Sequence, residues 1–586
     1  MKKRIAIIHQ EKCHPVECGN YLCAKLCPVN RMGSECVTPS PINQKARIDE
    51  TLCNGCHICV NRCPFQAIEV INLPEALKKP PIHRYGENMF ELYSLPTPQF
   101  GQVTGLLGKN GIGKSTAFNI LAGLVHPNLG NYETVADFKE ILSYFKGTEL
   151  QTVLENIRDK KIILSYKPQQ VDLIPKQFEG TARQLLGKLD HHNSLSSLAE
   201  QLQLTNFLDT SLSQISGGEL QRVAIAAATL KEANLYLFDE PSSFLDIKQR
   251  INVSRFIRNM ANENTGLMVV EHDLIIFDYM TDLINIMYGQ PSCYGIVSGL
   301  KTTREGINTF LEGYLREENI RFRPYPIKFE KSQLREKIKP VPLISWENFS
   351  KKLGSFQLNT EAGQLYHNEI VGVLGENGIG KTSFVKILAG LIKPDSGQID
   401  KEIKVAYKPQ YLETDSEQLV VEFLKDVLKY THQLVSPLGL EELFTKKLSQ
   451  LSGGELQRVS IARCLSQDAN LFLLDEPSAY LDIEQRLLIS KVIKNVTMER
   501  DLTILVVDHD LMFLDYLSDR LIVFQGIPAK EGLLKGPFSL EEGMNLFLTD
   551  LQITMRRDPA SNRPRINKLD SVKDREQKEK KKLYYV

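Results

Sequence analysis

The feature that most constrains this chain is a 35-residue stretch that occurs twice. It runs from Ser216 to Arg250 and again from Ser452 to Arg486, and the two copies match at 23 of 35 positions without a gap. A repeat of this length at a constant offset of 236 residues indicates a duplicated domain. Each copy opens with Ser-Gly-Gly and contains an apolar run that ends in Asp-Glu-Pro, which points to phosphate chemistry.

Length and charge set broad limits. At 586 residues the chain is too long for one core and predicts three or four domains. Lys+Arg and Asp+Glu are balanced at 71 each, so a binding site for nucleic acid would have to be a local basic patch. The sequence has no apolar run near the length of a membrane span and no signal peptide. We therefore expect a soluble, cytoplasmic protein with no membrane partner. We also expect a monomer.

Nine of the eleven cysteines lie before residue 64. Without an export signal such a cluster favours metal binding over disulfides. The run Cys53-x2-Cys56-x2-Cys59-x3-Cys63-Pro has the spacing of bacterial ferredoxins, in which the fourth cysteine crosses to the other cluster. This predicts two [4Fe-4S] clusters, one bound by Cys13, Cys18, Cys23 and Cys63 and one by Cys27, Cys53, Cys56 and Cys59. Structural zinc is the alternative, and Cys36 is left over.

A Walker A sequence follows a predicted strand in the first half. Val103–Leu107 leads into Gly108-Lys-Asn-Gly-Ile-Gly-Lys-Ser-Thr116 and then into a predicted helix. Glycines let backbone N–H groups approach phosphates, the lysine reaches the outer phosphates, and the serine coordinates Mg²⁺. The predicted ATP-binding residues here are Gly108, Asn110, Gly111, Gly113, Lys114, Ser115 and Thr116.

Four further motifs follow in the same half. They are Gln169, predicted to touch the metal and the attacking water, then Ser216-Gly217-Gly218, Walker B at Leu235–Glu240, and His272. A buried parallel strand places the carboxylates that follow it at the ligand edge of the sheet. Asp239 is therefore predicted to hold Mg²⁺ through water and Glu240 to orient or deprotonate the hydrolytic water. His272 is predicted to contact the γ-phosphate.

The second half repeats the same order. Its predicted ATP-binding residues are Gly375, Asn377, Gly378, Gly380, Lys381, Thr382, Ser383, Ser452, Gly453 and Gly454. Thr382, Asp475 and Gln410 correspond to the Mg²⁺ ligands Ser115, Asp239 and Gln169. Gln410, Glu476 and His509 correspond to the catalytic set Gln169, Glu240 and His272. The recurrence of the histidine favours a functional role over a structural one.

An insert distinguishes the two halves. Their offset falls from 267 residues at Walker A to 241 at the glutamine, so the first half carries 26 extra residues. Val135, Phe138, Ile141, Leu142 and Phe145 have helical spacing, and Thr148 with Gln151 fits a capping box for a second helix. This predicts a helix-loop-helix near residues 133–160. A tolerated loop expansion is possible, but an amphipathic pair in one half favours docking on a partner.

The order of these motifs resembles a tandem ATP-binding cassette protein. With the double ferredoxin motif, the Cys-Pro-Val-Asn-Arg-Met-Gly run at Cys27–Gly33 and the basic segment after Arg556, the whole chain resembles the RNase L inhibitor family, subfamily E of the cassette ATPases. The resemblance implies an α/β fold of two head-to-tail P-loop domains behind a ferredoxin-like domain. ATP with Mg²⁺ is then sandwiched at two composite sites, each pairing one Walker A with the other half's Ser-Gly-Gly. Family similarity also points to Tyr85 and Phe90 as adenine-stacking residues, whereas Phe356 is equally consistent with a core strand position.

The predicted domains follow the motifs. They are an iron-sulfur domain at 1–75, a first cassette with its insert at 76–315, a hinge at 316–339, a second cassette at 340–548, and a second hinge with a basic tail at 549–586. Residues 556–582 contain eleven basic and five acidic side chains. Either basic segment is a candidate contact for ribosomal RNA phosphates.

The resemblance implies a ribosome recycling factor that splits ribosomes after termination or stalling and stays on the small subunit at initiation. ATP-driven closure would move the iron-sulfur domain against its partners. Those partners would be the small ribosomal subunit with its rRNA, a class-1 release factor or Pelota-like rescue factor, and initiation factors. Two alternatives come from other classes: a redox enzyme gated by ATP, and the energy subunit of a transporter.

Overall fold

The computed structural model describes residues 4–73, 79–329, 341–388, 390–400, 403–410 and 416–585. The predicted domain boundaries at 75/76 and 339/340, and the predicted hinge beyond residue 329, lie outside these ranges. No helix of the described ranges is long and apolar enough to cross a membrane.

The N-terminal module is built from short elements around the cysteines. Strand β1 (Arg4–Ile8) pairs antiparallel with β4 (Ile68–Asn72), and β2 (Val37–Pro39) pairs antiparallel with β3 (Ala46–Ile48). Each Cys-Pro step ends a short helix, because a residue before proline is pushed out of the helical region; Cys27 and Cys63 are both extended. The elements are β1 Arg4–Ile8, α1 Leu22–Leu26, α2 Pro28–Arg31, β2 Val37–Pro39, β3 Ala46–Ile48, α3 Ile58–Arg62 and β4 Ile68–Asn72.

The first cassette is organised by a nine-stranded mixed sheet in the order β5-β6-β12-β11-β7-β10-β9-β8, with β13 beside β11. Strands β7, β8, β9 and β10 are parallel, so their carboxyl ends share one edge. The apolar runs of β7, β9 and β10 are wholly buried, as expected for a sheet covered on both faces. The strands are β5 His83–Arg84, β6 Glu91–Leu92, β7 Val103–Leu107, β8 Leu164–Lys167, β9 Leu235–Asp239, β10 Gly266–Val270, β11 Leu283–Gln290, β12 Tyr294–Val297 and β13 Lys301–Thr302.

Ten helices follow the strands of this cassette in the described ranges. They are α4 Lys114–Leu121, α5 Phe138–Tyr144, α6 Glu149–Arg158, α7 Ile174–Gln177, α8 Ala182–Gly187, α9 Leu195–Gln201, α10 Gly217–Thr229, α11 Ile247–Met260, α12 Leu274–Met280 and α13 Thr303–Glu312. A small hairpin of β14 Tyr314–Leu315 and β15 Ile320–Arg321 comes next.

The predicted helix-loop-helix is present as α5 and α6, with two differences. The first helix begins at Phe138, so Val135 lies before it and is exposed. The predicted capping box is wrong: Thr148 makes no side-chain cap, and Gln151 Oε1 instead accepts from the Gly147 N–H at 3.0 Å. The apolar faces of both helices pack on their own cassette rather than facing outward.

The second cassette repeats the plan with an eight-stranded sheet in the order β17-β18-β25-β24-β20-β23-β22-β21. Its strands are β16 Pro342–Trp346, β17 Ser350–Leu353, β18 Phe356–Thr360, β19 Gly363–Tyr366, β20 Ile370–Leu374, β21 Val405–Lys408, β22 Leu471–Asp475, β23 Thr503–Val507, β24 Arg520–Ile527 and β25 Glu531–Ser539. Its helices are α14 Lys381–Leu388, α15 Val420–Phe423, α16 Gly453–Leu465, α17 Ile483–Arg500, α18 Leu511–Leu517 and α19 Leu540–Leu551. Short turns of 3₁₀ or π type occupy Val427–Tyr430, Thr431–Val435, Glu441–Leu443 and Leu448–Gln450.

The C-terminal segment returns to the first cassette. It forms a hairpin of β26 Met555–Arg557 and β27 Pro564–Ile566, followed by α20 Val572–Glu579. Arg563 is fully buried, and its Nη1 donates to Asp278 of α12 at 2.6 Å. We call β26, β27 and the loop between them the strap.

Candidate functional site

Both phosphate loops lie between a buried strand and a helix, as the sequence predicts. Lys114 opens α4, and its Nζ donates to the carbonyls of Gly108 at 2.9 Å and Lys109 at 2.8 Å. Lys381 makes the same contacts with Gly375 and Glu376, at 2.7 and 2.9 Å. Burial lowers the pKa of each lysine to about 8. Each ammonium is thus folded back onto its own loop, where phosphate oxygens would replace the carbonyls as partners.

The carboxylates of site one gather at the edge of the sheet where β8, β9 and β10 end. Gln169 Nε2 donates to Glu240 Oε1 at 2.8 Å, and His272 Nε2 lies 3.2 Å from the same oxygen. Burial raises the pKa of Asp239, the neighbouring predicted Mg²⁺ ligand, and a hydrogen bond from Ser115 opposes that effect. Five of the predicted residues are therefore in one polar cluster.

Site two has the same residues in a slightly different arrangement. Gln410 Nε2 donates to Glu476 Oε1 at 2.6 Å, while Thr382 Oγ1 lies 3.5 Å from Asp475 Oδ2. His509 Nε2 contacts Asn377 Oδ1 at 2.9 Å and is 3.7 Å from Glu476. Burial, with the charge of Lys381 next, holds the pKa of His509 well below its usual value. The histidine is therefore neutral and is turned toward the phosphate loop.

The two cassettes meet head to tail across these sites. The Asn110 N–H of the first loop donates to Asp482 of the second cassette at 3.4 Å, and the Asn377 N–H donates to Asp246 of the first at 3.1 Å. Two ion pairs flank these contacts, Lys109–Glu484 at 2.8 Å and Lys248–Glu376 at 2.7 Å. Each phosphate loop therefore lies against the opposite cassette.

One cavity of about 1370 Å³ runs along this interface and contains most of the predicted nucleotide-binding residues. Both Ser-Gly-Gly sequences line it, each at the N-terminus of a helix, α10 or α16. The other predicted residues in its wall are Asn110, Gly111, Gly113, Lys114, Ser115, Thr116, Asn377, Gly378, Gly380, Lys381, Thr382, Ser383, Gln169, Gln410, Asp239, Asp475, Glu240, Glu476, His272 and His509. Gly108 and Gly375 do not line it but lie beneath the loops as acceptors for the two lysines.

Aromatic side chains also line the cavity. Tyr85 and Phe90 line it in the first cassette, and Tyr85 Oη lies 3.2 Å from Thr116 Oγ1. Gly113 has a φ of +97°, and a Cβ there would lie 2.6 Å from the Phe90 ring. Phe356 packs against Gly380 in the same way at 3.0 Å. Phe356 is thus both the first residue of strand β18 and a wall of the cavity.

The cysteines of the N-terminal module lie near one another. Cys13, Cys18, Cys23 and Cys63 line one small cavity of about 20 Å³. Burial raises the pKa of Cys59 to about 11, and the nearby thiols of Cys53, Cys56 and Cys27 add to that effect. The described residues contain no group of three His, Cys, Asp or Glu side chains placed to share a single metal ion. A [4Fe-4S] cluster binds each thiolate through a different iron, so neighbouring thiols that do not share a single metal ion fit its donor set.

Sequence reasoning missed several residues of this site. Asp246 and Asp482 make contacts between the cassettes. Lys167 and Lys408 are buried and donate to the carbonyls of Asp239 and Asp475, next to the predicted hydrolytic glutamates. Gln221 and Gln457 each donate to the carbonyl of the glutamate in their own cassette at 2.6 Å. The repeat could have identified the aspartates and glutamines, because both pairs recur in it at the same offset of 236 residues.

Comparison with known protein families divides the chain in the same way. The model described as "ABC transporter" matches residues 97–243 and 358–479. A "Possible Fer4-like domain in RNase L inhibitor, RLI" matches residues 4–35, and a "4Fe-4S binding domain" matches residues 46–69. The expected α/β class, with two ATP-binding cassettes behind an iron-sulfur domain, is confirmed.

Relatives and solved structures match this chain over all or most of its length. The chain is 50% identical to an uncharacterized ABC transporter ATP-binding protein of Methanocaldococcus jannaschii, covering 100% of this chain and 98% of that protein. It is 43% identical to the translation initiation factor RLI1 of Saccharomyces cerevisiae, covering 100% and 98%. Among structures, it is similar to ABCE1 in a model of ribosome-bound archaeal Pelota and ABCE1, with 48% identity, a TM-score of 0.94 and coverage of 100% and 99%. It also matches, at 48% identity, a TM-score of 0.82 and coverage of 88% and 100%, a structure of the archaeal ribosome recycling factor with the ribosomal stalk protein aP1.

Proposed function

The chain belongs to the RNase L inhibitor family, subfamily E of the ABC ATPases, and we propose on that basis that it is an ATP-driven ribosome recycling factor. The observation that carries the proposal is its likeness, over the full length of both chains, to a relative bound to a ribosome with Pelota. Its partners would be the small subunit with its rRNA, a class-1 release factor or Pelota-like factor, and a stalk protein. The name of the yeast relative supports a further stay on the small subunit with initiation factors.

Two [4Fe-4S] clusters are proposed as the resident cofactors. Cys13, Cys18, Cys23 and Cys63 would hold one, and Cys27, Cys53, Cys56 and Cys59 the other. When bound, each cluster ties together segments that are distant in sequence, which stabilises a module too small for a large core. Cys36 is buried beside the second group and stays outside both sets.

ATP with Mg²⁺ is proposed to occupy two composite sites. Lys114 and Lys381 would bind the outer phosphates, while Glu240 and Glu476 would orient or deprotonate the attacking water. The Mg²⁺ ligands would be Ser115, Asp239 and Gln169 in site one and Thr382, Asp475 and Gln410 in site two. Since each Ser-Gly-Gly comes from the opposite cassette, a γ-phosphate would favour the closed form through contacts that the open form lacks.

A hairpin at residues 83–92 supports transmission of closure to the iron-sulfur module. Tyr85 and Phe90 face the nucleotide cavity from this hairpin. On its other side the Asn88 Nδ2 donates to the carbonyls of Ala6 and Ile48 at 2.9 and 3.0 Å. Arg84 pairs with Glu50 at 3.0 Å, with both side chains buried. One short segment therefore contacts both the nucleotide cavity and the module.

The proposal is tested by ribosome splitting on a sucrose gradient. Ribosomes are mixed with the cluster-loaded chain, ATP and a release or Pelota-like factor, and we expect them to separate into subunits. Parallel reactions with ADP, or without the factor, should leave them intact. Intact ribosomes in the complete reaction, from a chain that still hydrolyses ATP, would overturn the proposal.

A further inference from the structure

The backbone of each hydrolytic glutamate is held in an uncommon conformation. Glu240 has a φ of +47° and Glu476 a φ of +46°, in the left-handed region that side chains other than glycine seldom adopt. Such a conformation persists where the surrounding contacts over-determine it, and it is often found at functional sites. The position of each carboxylate therefore depends on the groups that hold its backbone.

Four hydrogen bonds hold the backbone of Glu240 in this conformation. Its N–H donates to the Val270 carbonyl at 2.9 Å, and Lys167 Nζ donates to its carbonyl at 3.2 Å. Both partners belong to strands of the same sheet as Glu240. The Ser243 N–H also donates to the Glu240 carbonyl, at 3.4 Å. The remaining donor is Gln221 Nε2, at 2.6 Å from the same carbonyl, and it comes from helix α10.

Helix α10 also carries a part of the other ATP site. Its N-cap is Ser216, followed by Gly217 and Gly218, and these three residues line the cavity as the predicted γ-phosphate contacts of site two. Gln221 lies five residues after Ser216, just over one turn along the same helix. One rigid element thus has its end in site two and a side-chain contact on the glutamate of site one.

Two observations indicate that the amide is kept for this contact. Gln221 is fully buried, and its Oε1 has no hydrogen-bond partner among the described residues, an unfavourable arrangement for a buried polar atom. The second cassette repeats the geometry: Gln457 Nε2, on α16, is 2.6 Å from the Glu476 carbonyl. Ser452 at the start of α16 lines the cavity as the predicted contact of site one.

We propose that Gln221 and Gln457 are positioning residues that transmit engagement of the signature serine at one ATP site to the hydrolytic glutamate of the other. A γ-phosphate bound at Ser216 fixes the N-terminus of α10. Gln221 then fixes the carbonyl of Glu240 and, through it, the direction of that carboxylate. Each site would hydrolyse ATP at a rate set by whether the other is engaged. The inference rests on the site roles proposed above but not on any ribosomal partner.

The test is a double-mutant cycle on ATP hydrolysis by the full chain, without ribosomes or factors. In a Glu476→Gln background the remaining turnover reports Glu240 at site one. Ser216→Ala, which alters site two, should change that turnover by about fivefold, the effect of one buried hydrogen bond. In the presence of Gln221→Met, which keeps the side-chain length but removes the donor, Ser216→Ala should have no further effect.

Independent effects of the two substitutions, multiplying in the double variant, would overturn the proposal, as would a Ser216→Ala variant with unchanged turnover. A merely structural role for Gln221 would lower turnover without removing the response to Ser216. The mirror cycle, Ser452→Ala with Gln457→Met in a Glu240→Gln background, decides the matter if Gln221→Met does not fold. Because ribosomes are absent, failure here is distinguishable from failure to split them.

Discussion

Glu240 and Glu476, the proposed hydrolytic glutamates, share a backbone conformation but differ in their electrostatic surroundings. Burial raises the pKa of Glu240, but the hydrogen bond and charge of His272 and a hydrogen bond from Ser243 outweigh it and lower that pKa to about 2. In site two the histidine turns to Asn377, and Ala479 stands where Ser243 stands in site one. Burial, followed by the charge of Asp475, therefore raises the pKa of Glu476.

We expect the two sites to differ in their sensitivity to acid. A carboxylate acts as a base only above its pKa, so the site with the lower pKa keeps its activity to lower pH. Glu476→Gln, which leaves site one active, should therefore retain ATP hydrolysis at lower pH than Glu240→Gln, which leaves site two active. Steady-state pH profiles of the two variants measure the difference.

Ser243→Ala provides the matched control in the first of these variants. It removes a donor to Glu240 that site two lacks at Ala479, so the acid limb of site one should move toward higher pH. Coincident acid limbs in the two parent variants would contradict the assignment.

The site residues were predictable individually. Short motifs identify them, and the parallel strands that they follow end at one edge of the sheet. The contacts between them were not predictable. The sequence does not show that His272 lies against Glu240 while His509 contacts Asn377. Nor does it show that Ser243 donates to Glu240. The crossing of Asp246 and Asp482 between cassettes depends on tertiary packing that a linear pattern does not contain.

At the scale of elements, the insert shows that the spacing of apolar residues predicts helices but not what their apolar faces pack against. The spacing of apolar residues predicted two helices, and α5 and α6 are present. The same spacing fits an apolar face that docks on a partner and one that packs inward. The structure buries Ile141, Leu150 and Leu154 against the first cassette. Within the described residues 131–161, the exposed large apolar side chains are Tyr132 and Val135, both before α5.

We expect Leu150→Ala to destabilise the first cassette by about 2–5 kcal/mol, because it removes a buried side chain and leaves a cavity. Denaturant unfolding of the purified chain measures the loss. Val135→Ala is the matched control, since its side chain is exposed and the change should stay within about 0.5 kcal/mol. Equal effects of the two substitutions would mean that the insert is not part of the cassette core.

At the scale of the whole molecule, the strap follows the second cassette in the chain and binds to the first cassette through ion pairs. Arg563 and Arg565 both pair with Asp278 of the first cassette at 2.6 Å. Asp558 accepts from Arg304 Nε of α13 at 2.9 Å. Asp278, Asp558 and Arg563 are buried and Arg565 nearly so, whereas Arg304 is half exposed; each has an opposite charge as a partner. The basic composition of this segment was evident in the sequence, but its acidic partners in the first cassette were not.

We expect Asp278→Asn to destabilise the assembled cassettes by about 3–5 kcal/mol, because it leaves the buried Arg563 without its counter-charge. A lower unfolding midpoint in denaturant would show this. Lys568→Met is the control: it removes the pair of Lys568 with Asp282 at 3.0 Å, where the lysine is half exposed, and should cost less than about 1 kcal/mol. An unchanged midpoint for Asp278→Asn would show that the strap does not stabilise the pair.

The strap also determines when the molecule becomes complete during its own synthesis. Domains fold as they leave the ribosome, N-terminal first, and Arg563 lies after both cassettes in the chain. Asp278 is therefore in place well before the arginines that neutralise it have been made. A product that stops before Met555 would contain every nucleotide-binding motif but would lack the strap, and with it the ion pairs to the first cassette. A prematurely released chain would therefore differ from a full-length one in leaving Asp278 without its arginine partners.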